Sequence, residues 1–119
     1  MSASPADTRR KPRRRVPDTV SVVDSMTGQV VGRLGNISET GMLLIASTPL
    51  VDDGLYQLRF ELADHGGRPL AVEIGGHVLW HDDASAPGQS WCGLRFINLP
   101  EAQRRALRDW LELPGGSYV

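Results

Sequence analysis

The sequence predicts a mostly β domain: a six-stranded antiparallel β-barrel, preceded by a flexible basic arm and followed by one C-terminal α-helix. Three observations carry this reading. Apolar and polar residues alternate in short runs, the period of a strand with one buried face. The runs are separated by Gly-, Asp- and Ser-bearing turns at the spacing of an all-β barrel. Past Asn98 the apolar period lengthens to that of a helix.

Val20, Val22 and Asp24 open a first strand over residues 19–24, and Ser25-Met26-Thr27-Gly28 reads as a hairpin turn in which Gly supplies a positive φ. A second strand follows from Gln29 to about Asn36, ending at the polar turn Asn36-Ile37-Ser38-Glu39-Thr40-Gly41. The apolar run 42–46 is a third strand, buried on both faces or nearly so; 47–54 is loop. In the fourth strand, 55–62, Tyr56, Leu58 and Phe60 alternate against Gln57, Arg59 and Glu61. Asp64-His65-Gly66-Gly67 is a turn. The fifth strand, 70–80, contains Gly75-Gly76, a pair suited to a bulge or a sharp barrel bend. Residues 81–89 form a loop. In the sixth strand, 90–97, Trp91, Gly93 and Arg95 alternate against Cys92, Leu94 and Phe96.

Asn98 and Glu101 have the N-cap and N3 spacing of a capping box, with Pro100 in the first turn. The helix over 102–111 then brings Leu107, Trp110 and Leu111 to one face, and Pro114-Gly115-Gly116 stops it. A single short amphipathic helix is not stable alone, so it is expected to dock on the barrel and plug an open end. The chain of 119 residues is thus one domain. Residues 1–15 are the arm, 16–113 the barrel with its helix, and 114–119 a tail.

Charge divides the chain in the same way. Six of the seven residues in Arg9-Arg10-Lys11-Pro12-Arg13-Arg14-Arg15 are basic, whereas residues 16–119 carry thirteen acidic and seven basic side chains, a net of about −6. Like charges this close repel and resist folding. Arginine's planar fork suits phosphate and guanine edges, so a phosphate- or guanine-bearing partner is the first expectation. Cys92 is the only cysteine, which excludes an intrachain disulfide and suits a small buried hydrophobe. No apolar stretch approaches ~18 residues, so no membrane insertion is expected. No apolar run follows the basic one, so no secretory signal is read, and a cytoplasmic location is the simplest expectation.

Two segments acquire meaning together. The arm holds Arg-x-x-x-Arg in two overlapping registers, Arg9/Arg13 and Arg10/Arg14, with Lys11/Arg15 a weaker third because lysine lacks the fork. Downstream, between two strands, stands Asn36-x-Ser38-x-x-Gly41. The ordered pair resembles the hallmark of the PilZ family, RxxxR followed by [D/N]xSxxG. The late strands Gly76-His77-Val78-Leu79-Trp80 and Cys92-Gly93-Leu94-Arg95-Phe96-Ile97, followed by a helix, resemble the family too. The likeness covers about residues 9–111. It implies a bacterial receptor for cyclic di-GMP that is not an enzyme, needs no other cofactor, and signals to a downstream effector protein. Carried over, Arg9, Arg10, Arg13 and Arg14 supply the clamp on the ligand, and Asn36, Ser38 and Gly41 the barrel-side contacts.

Plainer readings stand beside this one. A basic run is by default a solvated tail or a nucleic-acid patch, and a PilZ-like module that binds protein or nucleic acid instead is the alternative. Asn, Ser and Gly also favour turns for their own sake. His65, His77 and His81 form no metal set. Asp52-Asp53 and Asp82-Asp83 read as solvated loop acids, and Trp80 and Trp91 as packing on the barrel or under the helix, with base stacking a lesser option. No catalytic nucleophile–base arrangement appears.

Overall fold

The computed structural model describes residues 13–16, 19–63, 67–84 and 86–114. Seven strands, β1 (Arg14–Arg15), β2 (Ser21–Asp24), β3 (Val30–Ile37), β4 (Gly41–Ala46), β5 (Leu55–Ala63), β6 (Pro69–Asp83) and β7 (Ser90–Asn98), precede one helix, α1 (Glu101–Leu111). The sheet runs β1-β3-β2-β5-β6-β7-β4, and β4 pairs back onto β3. The six strands β2 to β7 therefore close into the expected antiparallel barrel. Closure gives each of these six strands two neighbours among them and leaves the two-residue β1 at the sheet's end.

Alternation fills the interior. Val22, Leu34, Ile37, Met42, Leu44, Leu58, Phe60, Leu62, Val72, Ile74, Val78, Cys92 and Leu94 all point inward and are buried. β4 is buried on both faces, as read from its unbroken apolar run, apart from the half-buried Leu43. Cys92 packs as a small hydrophobe, and burial pushes its thiol pKa up. The β2–β3 hairpin closes where expected, with Gly28 at φ 75°.

β6 is 15 residues long, and such a strand must bend to follow the barrel. Its ladder with β7 shifts register between Gly75 and Gly76, the bulge expected from the glycine pair, and again between Val78 and Trp80. Contrary to expectation, residues 81–83 continue β6 instead of forming loop, because His81, Asp82 and Asp83 keep their partners Cys92, Trp91 and Ser90.

The helix buries Leu107, Trp110 and Leu111 in the barrel's core, as its periodicity predicts. The Trp110 indole N–H donates to the Ala63 carbonyl at 2.9 Å, tying the helix to the end of β5. Its start differs from the predicted capping box. Asn98 is paired with Gly75 as the last residue of β7, so it cannot cap. Pro100 occupies the N-cap, without a side-chain hydrogen bond. Glu101 instead lies near Arg104 and Arg105 one turn on.

The loop acids also have a use that the sequence did not reveal. Asp53 holds His77 Nε2 at 2.5 Å and Asp52 holds His81 Nδ1, clasping the β4–β5 loop to β6. The Asp52 hydrogen bond and charge, with smaller help from Asp83 and Asp82, raise the His81 pKa above its ordinary 6.5, against a small opposing effect of burial. The charged Asp52–His81 contact is therefore fully present below 6.5 and is lost as pH rises through the raised folded value of His81. Following the His81 ring by NMR should give a titration above 6.5 that falls back toward it in Asp52→Asn.

Candidate functional site on the outer face of the barrel

The two motif segments meet. Arg14 and Arg15 are not a free tail but a strand on β3, Arg14 opposite Ile37 and Arg15 opposite Asn36. The Val16 N–H continues the pairing to the Gly35 carbonyl at 3.1 Å. One residue earlier, Arg13 Nη1 donates to Asn36 Oδ1 at 3.1 Å, joining the arm to the downstream motif across 23 residues. Arg9 and Arg10 lie outside the described residues.

Parity decides what the arm's arginines face. Side chains on a strand alternate, and cross-strand partners share a face. Ile37 is wholly buried, so its partner Arg14 lies on the inward side, at the barrel end that α1 covers. There Arg14 Nη1 donates to the Trp110 and Leu113 carbonyls at 2.8 and 2.9 Å, and its guanidinium lies over the Trp110 ring at 4.8 Å. Arg15 shares the outer face with Asn36 and is exposed.

The turn residues are built into the fold. The Ser38 hydroxyl accepts the Thr40 and Gly41 N–H groups at 3.2 and 3.3 Å and is 1% exposed. It thereby shapes the β3–β4 turn. Gly41 faces Arg95 of β7, and a Cβ there would lie 2.3 Å from the Leu94 carbonyl oxygen. No other residue fits that approach without moving backbone. Between them, Glu39 accepts Arg108 Nε and Nη2 at 3.0 and 2.8 Å, fastening the turn to α1.

A register shift between Leu34 and Asn36 turns Asn36 outward, opposite Leu43. Leu43 in turn faces Gly93, and Gly93 faces Trp80. Arg15, Asn36, Leu43, Gly93 and Trp80 therefore form one line over five strands. From Asn36 to Trp80 this is three strand spacings, about 14 Å. A Cβ on Gly93 would lie 2.3 Å from Trp80 Nε1 and 2.5 Å from Cε2. The indole thus packs directly against the bare Gly93 backbone and remains 45% exposed. The next line, Arg33, Ile45, Trp91 and Asp82, runs beside it. Neither Trp80 nor Trp91 packs under the helix; Trp110 fills that place.

A family model described as the PilZ domain matches residues 7–113. The chain belongs to the PilZ domain family. Solved structures share its fold. The Bacillus subtilis inhibitor of motility (MotI/DgrA) matches with a TM-score of 0.69 at 15% identity over 87% of this chain, which spans about half (49%) of that protein. The PilZ domain with c-di-GMP of YcgR from Escherichia coli matches with a TM-score of 0.62 at 16% identity, over 88% of this chain and 91% of that one. A formamidopyrimidine-DNA glycosylase of Ralstonia nicotianae is 31% identical over 101 residues, 81% of this PilZ chain but only 34% of the glycosylase. No helix among the described residues is long and apolar enough to cross a membrane. No group of metal-ligating side chains occurs among them either.

Arg15, Trp80, Gly93, Glu39 and Arg108 lie beside the predicted residues, Arg15 and Trp80 having been offered by the sequence only as lesser options. Reading the arm as a strand would have separated Arg13 and Arg15 from Arg14 by parity alone. The Trp80–Gly93 pair needed the β6–β7 register.

Proposed function

We propose that this PilZ domain binds cyclic di-GMP on the outer face that Arg13, Arg15, Asn36 and Trp80 share, and passes the event to an effector protein. The observation that carries the reading is the hydrogen bond from Arg13 to Asn36, which brings the two halves of the family motif together on one surface. Cyclic di-GMP presents two phosphates and two guanines. The Arg13 and Arg15 guanidiniums can fork onto phosphate oxygens or onto guanine O6 and N7. Asn36 Oδ1, released from Arg13, can accept guanine N–H groups. The flat Trp80 indole offers a stacking surface of the kind bases use on aromatic side chains. Arg9 and Arg10 add the remaining cationic contacts. Ser38 and Gly41 serve by shaping the turn that presents Asn36. The role is binding, not catalysis.

Calorimetric titration of the full chain tests this, with duplex DNA as control. Saturable binding of cyclic di-GMP, weakened by added salt, supports the proposal. No binding of the dinucleotide, together with DNA affinity that falls steeply with salt irrespective of sequence, overturns it in favour of a nucleic-acid module.

A further inference from the structure

We propose that Arg14 is the positioning residue of this site: it anchors the arm to the C-terminal end of α1, holds Arg13 over Asn36, and does not touch the ligand. The inference rests on the cyclic di-GMP reading but adds a division of labour within the basic run that the RxxxR spacing does not contain.

The anchor is chemically complete. The last turn of a helix leaves carbonyl groups without intrahelical partners, and its dipole end is negative. Arg14 supplies both donor and charge to that end, reaching the Trp110, Leu111 and Leu113 carbonyls. Its planar guanidinium also lies over the Trp110 face at 4.8 Å, a favourable cation–π distance. Trp110 is itself fixed by burial and by its bond to Ala63. Turning Arg14 toward the ligand would remove this donor from the helix end, although the Trp110 carbonyl also accepts the Leu113 N–H at 3.2 Å, and would reverse the parity that puts Arg13 and Arg15 outside. Arg108 makes the matching tie to Glu39 in the turn. Helix α1 therefore grips both halves of the site from beneath, the arm through Arg14 and the turn through Arg108.

The test compares Arg14→Gln, Arg14→Lys, Arg13→Gln and the double variant Arg13→Gln/Arg14→Gln. In the free protein, hydrogen exchange at the Val16 amide reads the docking of the arm. Arg14→Gln should lose that protection while the Gly41 amide keeps its own. Affinity for cyclic di-GMP should fall about five- to tenfold in Arg14→Gln through lost pre-organisation, with partial recovery in Arg14→Lys. The dependence of affinity on salt should stay as steep as in the wild type, whereas Arg13→Gln should flatten it. The double variant should lose clearly less than the sum of the two single losses, because Arg14 acts in part through Arg13. A flattened salt dependence in Arg14→Gln, or additive losses in the double variant, would make Arg14 a ligand contact and overturn the proposal. Unchanged Val16 protection in Arg14→Gln would overturn it as well. Loss of Val16 protection alongside a wild type that binds no cyclic di-GMP would leave the anchor standing and reject the ligand reading alone.

Discussion

Replacing Trp110 with alanine should destabilise the protein by about 3–5 kcal/mol, the cost of truncating a large buried aromatic. Three losses coincide there. The indole leaves a cavity among Leu107, Leu111 and the barrel core, the Ala63 carbonyl loses its donor, and Arg14 loses the ring beneath it. Against a total stability of about 5–15 kcal/mol for a domain of this kind, that is a large fraction. Urea unfolding should show a much lower midpoint. Trp110→Phe keeps most of the volume but not the N–H, so it should lose about 1–3 kcal/mol. If the alanine variant unfolds at the wild-type midpoint, α1 is not the plug described above.

Arg13→Ala should weaken cyclic di-GMP binding about ten- to a hundredfold. A lost charge-assisted hydrogen bond is worth about 1.5–3 kcal/mol, and each 1.4 kcal/mol is tenfold in affinity. Arg13→Lys should fall between, because it keeps the charge but not the fork. Stability should fall as well, by about 1–3 kcal/mol at most, since Asn36 is 8% exposed and its Oδ1 loses the Arg13 donor. Calorimetry alongside urea unfolding separates the two effects. Equal affinity in wild type and Arg13→Ala would move the site off the Arg13–Asn36 contact.

How much of this was legible from the chain follows from how local each signal is. The six barrel strands were, because Leu58, Phe60 and Leu62, or Cys92 and Leu94, announce their inward face by simple alternation. So was the buried face of α1. The strand at Arg14–Arg15 was not, because its residues carry charge instead of an apolar pattern, and only pairing with β3 orders them. Asn98 looked like a helix cap because capping chemistry is read from spacing alone, while its pairing with Gly75 depends on a strand some twenty residues upstream. The motif residues were recognised, but their division of labour was hidden. Ser38 and Gly41 also hold the turn and admit the close approach of β7, and Arg14 also bonds the end of the helix. The line from Arg15 to Trp80 crosses five strands, so it exists only once the barrel has closed and set every register.

In the proposed function the outer line from Arg15 through Asn36 to Trp80 receives cyclic di-GMP. This is tested most directly by titrating the labelled protein with the dinucleotide and following backbone amides and tryptophan indole N–H signals by NMR. Saturating shifts are expected at Arg13, Arg15, Asn36, Leu43, Gly93 and the Trp80 indole, with the clasp at Asp53 and His77 unmoved. Shifts confined to other surfaces, or none at saturating ligand, would contradict it.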